Sequence, residues 1–153
     1  MTSLAPQFRP ATRADISVLL AMVAAFYQES QYPFRQEDVR RSLALLLASP
    51  TLGQVWLILG GADRVAGYAV LTFSFSLEYG GRDAIIDELY LQPEARGQGL
   101  GTAAIAHLEK ICCQQGIKAL HLEAERSNPA ARLYRRLGFE AHDRDFMTRF
   151  LNE

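Results

Sequence analysis

The sequence predicts an α/β fold: a mixed, mostly antiparallel sheet flanked by helices, in the order βααβββαβαββ. Three observations predict it. A helix-period apolar stretch near the N-terminus gives way to apolar, turn-bounded runs over residues 55–91. The last of those runs passes through Pro93 and a glycine-rich turn directly into a helical pattern. A short apolar run at 119–123 follows that helix, which makes a βαβ crossover with parallel strands. No repeat, linker or low-complexity stretch interrupts residues 1–153, so a single domain is expected.

Residues 8–11 read as a first edge strand. Thr12 has the character of an N-cap, with Asp15 three residues on as a variant capping box. Ile16, Leu19, Leu20, Val23 and Tyr27 recur at helical spacing, so a first helix should run to about Ser30, where Gln31-Tyr32-Pro33-Phe34 breaks it. A second helix carries Val39, Leu43, Leu46 and Leu47 on one face and stops before Pro50. The tyrosines and Glu29 near the break read either as surface residues or as one wall of a substrate cleft. Residues 55–59 form a strand, Gly60-Gly61-Ala62-Asp63 turns the chain, and 65–77 return as a long strand. A second turn at 79–82 leads into the strand 84–91. After the glycine turn, Leu100, Ala104, Leu108, Ile111 and Cys112 line a helix ending at Gly116, with His107 on its exposed face. Asn128 is expected to cap a short helix with Pro129 in its first position and Leu133 and Leu137 as its apolar edge. Residues 139–142 and 146–151 read as the two strands of a closing hairpin.

Composition excludes several classes. With 49% hydrophobic and 22% charged residues the chain is globular rather than disordered. A formal net charge of −1 argues against a nucleic-acid partner. No apolar run approaches the ~20 residues that span a bilayer, so no membrane partner is expected. Residues 1–10 lack the basic and apolar blocks of a signal peptide, which makes the cytoplasm the default location. Cys112 and Cys113 are neighbours in a helix and point apart, so they form neither a disulfide nor a metal site, and no metal is expected. The sequence allows a homodimer without any residue requiring one.

The densest chemistry lies in residues 85–102. Gly97, Gly99 and Gly101 stand at alternate positions where a helix begins. The first amides of a helix lack intrahelical partners and sit at the positive end of its dipole. Without Cβ atoms in the way they can close around a phosphate, and Arg96 places a cation beside them. A phosphorylated cofactor is implied. A nucleotide-binding P-loop would need a lysine after the last glycine, and a dinucleotide fingerprint counted from Gly97 would need glycine where Thr102 stands.

The run Arg96-Gly-Gln-Gly99-Leu-Gly101 resembles the Arg/Gln-x-x-Gly-x-Gly/Ala signature of the GNAT superfamily of acyl-CoA N-acyltransferases. Its context, an Asp-Glu-Leu-Tyr-Leu strand with a proline just beyond, is also similar. Downstream, Leu133-Tyr134-x-x-x-Gly138-Phe139 resembles a second segment of that family. There Asn128 precedes Tyr134 by six residues where seven is usual, a difference that turns a helical element by ~100°. Asn128 is therefore read both as the family's cofactor contact and as a helix cap.

The resemblance implies transfer of an acetyl group from acetyl-CoA, as co-substrate, to a primary amine within one ternary complex. The acceptor is a small amine or a protein amine, and the sequence does not choose. The pyrophosphate is expected on Arg96, Gly97, Gln98, Gly99, Leu100, Gly101 and Thr102, and the pantetheine arm along Leu89, Tyr90 and Leu91 as an added strand. An amide near Leu89 would face the thioester oxygen. Primary ammonium groups titrate near ~10.4, so a base must take a proton, and Glu88, Asp87 and Glu123 are the candidates. Alternation along a strand would set Asp87 and Glu88 on opposite faces. Tyr134 is the expected acid for the departing thiolate, against the plainer reading of a packing residue. His121 reads as a satisfied polar neighbour. The alternative function is a non-catalytic acyl-CoA-binding sensor or scaffold, which would need the same cradle.

Overall fold

The computed structural model describes residues 5–151; the first four residues, part of the stretch read above for a leader, and the last two lie outside it. The described residues fall into two compact units that divide after Glu123. The first unit holds β1 (Gln7–Pro10), α1 (Ile16–Ser30), α2 (Gln36–Leu47), β2 (Gly53–Leu59), β3 (Val65–Ser76), β4 (Gly81–Leu91), α3 (Leu100–Gln114) and β5 (Leu120–Leu122). The five strands form one sheet in the order β1-β2-β3-β4-β5, antiparallel except for the parallel β4–β5 pair. The fold is the mixed α/β sheet flanked by helices that the sequence predicts.

Local chemistry sets the element ends. Asp15 accepts the Thr12 amide at 2.7 Å and a bidentate pair from Arg9 at 2.9 Å, closing the entry to α1. Arg9 and Thr12 together hold the Asp15 carboxyl down at about 2. Gln31 ends α1 in the left-handed region at φ 59°, and the Tyr32 amide returns to the Tyr27 carbonyl at 2.8 Å. That closure is why α1 stops there although Gln31 carries a side chain.

The sheet is packed on both faces. Leu19, Val23, Leu43, Val55, Leu57, Tyr68, Val70 and Tyr90 form one core with α1 and α2. Ile58, Ala66, Ala95, Leu100 and Ala104 form another beneath α3. Leu19, Leu57, Tyr68 and Leu71 are wholly inaccessible, the kind of site where truncation to Ala costs about 2–5 kcal/mol. Cys112 is buried and Cys113 exposed, as neighbours on one helix should be. His107 departs from expectation. Its ring is half-buried, stacked on Phe8 at 4.5 Å and edge-on to Trp56 at 4.5 Å, because β1 and β2 extend under that side of α3. Burial and Lys110 hold its imidazole below the ordinary value.

The second unit contains α4 (Ala131–Arg136). It begins later than expected. Asn128 caps a preceding turn, its Oδ1 accepting the Ala130 amide at 2.9 Å, and Pro129 stands before the helix rather than in its first position. Residues 139–151 contain no strand, where strand-like segments at 139–142 and 146–151 are expected to form a closing hairpin. Apolar residues supply a face for a strand to bury but not the hydrogen-bonded neighbour that makes it one. Among the described residues no helix is long and apolar enough to cross a membrane.

Candidate active site

The site is built on an irregularity in β4. Val70 pairs with Glu88 and Leu71 with Ile86, so consecutive residues of β3 face residues two apart on β4. Asp87 is the extra residue of a β-bulge. In an unbroken strand Ile86 and Glu88 would share a face. The bulge instead sends Ile86 to the side of Leu71 and Glu88 to the side of Val70, toward α1. The alternation that would separate Asp87 from Glu88 does not run through this point. Both carboxylates act electrostatically on the same phenol, Tyr27.

Glu88 is held by two phenols. Tyr27, from the last turns of α1, donates to one carboxylate oxygen at 2.6 Å, and Tyr68, from β3, donates to the other at 2.7 Å. Loss of water lifts the Glu88 carboxyl above the ordinary glutamate range. The two phenols pull it back down and the negative charge of Asp87 pushes it up again. Tyr27 and Tyr68 are both raised, first by burial and then by the carboxylate they serve, so each keeps its proton at neutral pH. Each Glu88 oxygen retains a lone pair beyond the phenol it binds, so the group can still accept a proton. Asp87 is exposed, and the protein around it strips enough water to raise its carboxyl as well.

Beside this carboxylate the sheet opens. β5 pairs with β4 only through Ala84, Ile85 and Ile86. From Asp87 to Leu91 no strand lies on that side of β4 among the described residues, which leaves a backbone edge free for an extended amide chain. The edge ends at the glycine turn. Gly97 and Gly99 have φ of 73° and 79°, the left-handed region that favours glycine, and a Cβ on either would meet nothing within 4 Å. The amides of residues 97–102 give no hydrogen bond to backbone at the start of α3. Open space lined by unpaired amides fits a pyrophosphate. Gly101 is different: its φ is ordinary and its absent side chain only widens the opening.

Arg96 is not the free cation that the sequence suggests. Its guanidinium makes a bidentate pair with Glu29 at 2.8 and 2.9 Å, its Nε donates to the Leu91 carbonyl at 2.9 Å, and it lies over the Tyr90 ring. Both partners of the ion pair are about half exposed, 45% and 44%, so the pair is worth ~0–1 kcal/mol and is readily exchanged.

The first unit thus brings Glu88, Asp87, Leu89, Tyr90, Leu91, Arg96 and residues 97–102 along one strand and its following turn. Glu123 is exposed just past the end of β5. Asn128 and Tyr134 belong to the second unit. There burial raises the Tyr134 phenol and its ring meets Phe139 edge-on at 6.2 Å. Tyr68, which holds Glu88, is a residue of the candidate site that sequence reasoning missed. A tyrosine in the middle of an apolar strand was the available signal, because a buried hydroxyl needs a partner. His121 has a polar partner as expected, Asp83, 3.0 Å from its Nε2. Among the described residues no three His, Cys, Asp or Glu side chains gather to hold a metal.

A model of the acetyltransferase (GNAT) family matches residues 19–139. A thialysine N-epsilon-acetyltransferase from Bos taurus is 35% identical over 75 residues, covering 48% of this chain and 44% of that protein. A mycothiol acetyltransferase from Arthrobacter sp. (strain FB24) is 42% identical over 135 residues, covering 84% of this chain and 40% of that protein. The chain therefore spans less than half the length of these relatives. Among solved structures, an integron cassette protein from the mobile metagenome of Cole Harbour Salt Marsh superposes with a TM-score of 0.85 at 37% identity, over 96% of this chain and 91% of that one.

Proposed function

The chain belongs to the acetyltransferase (GNAT) family, and from that premise we propose that it transfers an acetyl group from acetyl-CoA to a primary amine by direct attack in a ternary complex. The observation that carries the reading is the juxtaposition on β4: a free backbone edge that runs into a glycine turn, with a doubly hydrogen-bonded carboxylate at its start. We read the two units as parts of one acetyltransferase domain, since the family match runs from the first into the second.

Acetyl-CoA supplies the acetyl group as a thioester, and the products are an amide, a free thiol and one proton. In this reading the amides of residues 97–102 bind the pyrophosphate, with Arg96 exchanging Glu29 for a phosphate oxygen. Leu89, Tyr90 and Leu91 hold the pantetheine arm, and an amide near Leu89 faces the thioester oxygen. Glu88 takes a proton from the acceptor ammonium, which frees the nitrogen lone pair for attack. Its partial burial suits it to that work, since a base is most useful when its pKa is drawn toward the working pH. Asp87 and Glu123 contribute negative charge that draws a cationic acceptor. Tyr134, which burial keeps protonated at neutral pH, gives its proton to the departing sulfur and is reprotonated from solvent. Solvent takes up the second proton that the acylated nitrogen loses, so that the proton on Glu88 is the one released overall. Asn128 is read as a cap rather than a cofactor contact, because its side-chain oxygen is already taken by the Ala130 amide.

The base assignment is tested by Glu88→Gln. The base must be ionised, so the wild-type rate falls as pH drops through the Glu88 pKa, at a pH above the ordinary glutamate value. The glutamine variant should lose that acidic limb and turn over roughly a hundred- to ten-thousandfold more slowly. A variant with the wild-type limb intact would move the base elsewhere.

A further inference from the structure

The sheet face that carries Glu88 holds a second polar centre with no part in the mechanism above. Asp83 is only 7% exposed and both its oxygens are engaged. One accepts the Ser74 hydroxyl at 2.7 Å, and the other lies 3.0 Å from Nε2 of His121. An ionised carboxylate only accepts, so Nε2 carries the hydrogen, and in the uncharged tautomer that this leaves, Nδ1 is a lone-pair acceptor. Nδ1 has no partner among the described residues, and it is not a buried unsatisfied atom, so it is open to solvent. Tyr79 packs against the ring at 4.9 Å and steadies its plane.

Register places this centre on the Glu88 face. β3 alternates without interruption, so Tyr68, Val70, Thr72 and Ser74 project together. Their partners on β4 are Tyr90, Glu88, Ile85 and Asp83, and Ile85 is in turn paired with His121 on β5. The Thr72–Ile85–His121 rung is two β3 residues from the Val70–Glu88 rung. With one strand spacing between β4 and β5, the backbones of Glu88 and His121 stand about 8 Å apart. Thr72 and Ile85 lie between them in register, neither fully buried.

We propose that His121 determines acceptor specificity: with the reactive amine at Glu88, its Nδ1 accepts a hydrogen bond from a second donor, an amine or a hydroxyl, on the same acceptor molecule. The inference rests on the acetyl-transfer reading and narrows it. The acceptor class becomes bifunctional amines of a length comparable with that backbone spacing of about 8 Å. Asp83 is a positioning residue, since it fixes the ring tautomer that leaves Nδ1 as an acceptor. A purely structural Asp83–His121 tie between β4 and β5 would not discriminate among acceptors. Discrimination is therefore the quantity to measure.

The experiment compares kcat/KM for pentane diamine, the matching aminopentanol and pentylamine in the wild type, His121→Phe and Asp83→Asn. The wild type should favour the bifunctional acceptors by about threefold to tenfold, the worth of one hydrogen bond. The diamine-to-aminopentanol ratio identifies the donor. His121→Phe should collapse the preference to about one through KM, and Asp83→Asn should fall between. A wild type without preference, or a His121→Phe enzyme that keeps it, overturns the inference. Nitrogen-15 NMR of the wild type guards against a variant that fails to fold: the His121 Nδ1 resonance should move on adding diamine to the CoA-loaded protein and stay put with pentylamine. A resonance that ignores the diamine overturns the inference equally. Turnover of amines without any His121 effect defeats this inference alone, whereas no thiol release with any amine defeats the acetyl-transfer reading and this inference with it.

Discussion

Glu88 receives a hydrogen bond from each of two phenols, and each phenol ties the carboxylate to a different part of the first unit. Tyr68 is wholly buried in β3, while Tyr27 sits near the C-terminal end of α1, two residues before the partner of Arg96. The Tyr27 hydrogen bond favours the ionised carboxylate and so lowers its pKa. Tyr27→Phe should then let that pKa rise, moving the acidic limb of the kcat/KM profile to higher pH with the ring still in place. A limb that stays in place, or moves to lower pH, would show that Tyr27 does not stabilise the ionised base. Tyr134 is the other residue whose hydroxyl is argued to matter. Tyr134→Phe keeps the ring against Phe139 and removes only the proton. It should leave acetyl-CoA affinity nearly unchanged and lower kcat by about ten- to ten-thousandfold. Wild-type turnover under conditions where chemistry limits would make Tyr134 a packing residue.

At the scale of elements, the bulge at Asp87 decides which side chains reach the site. Deleting Asp87 would close the bulge with Ile86 still opposite Leu71 and Glu88 still opposite Val70, so Glu88 would keep its face and its phenols. The deletion should therefore keep measurable, Glu88-dependent transfer, as should Asp87→Ala, which leaves the extra residue in place. Loss of transfer in the deletion alone would show that the site needs the bulge itself and not only the face on which Glu88 stands. This is also where the sequence runs out. Helical spacing placed α1, α2 and α3 well, and the glycine turn showed where the free edge of β4 ends. Neither signal reports one extra residue in a strand, because Ile85-Ile86 and Leu89 give no clean period of two around Asp87-Glu88. The pairing of Arg96 with Glu29 was likewise invisible. Its members are 67 residues apart and meet only because the end of α1 comes to the start of the cradle. The apolar residues of 146–151 misled in the other direction, since a short apolar segment resembles a strand wherever it occurs.

For the whole molecule, the family match covers residues 19–139, cradle and sheet strands included, and a solved chain of similar length superposes over 96% of this one. A catalyst and a non-catalytic binder of acyl-CoA would both keep that scaffold, so affinity for CoA cannot separate them. What separates them is whether the carboxylate at the bulge has an amine to act on. The most direct measurement is free-thiol release from acetyl-CoA mixed with a panel of amines, with the acetylated product followed by mass spectrometry, in the wild type and in Gly99→Val. The wild type should release one thiol for each amine acetylated. Gly99→Val should lose both CoA binding and thiol release, because valine is strained at a φ of 79° and its side chain would stand in the open cradle. Tight CoA binding by the wild type with no thiol released for any amine would contradict the account and leave the protein a binder of acyl-CoA.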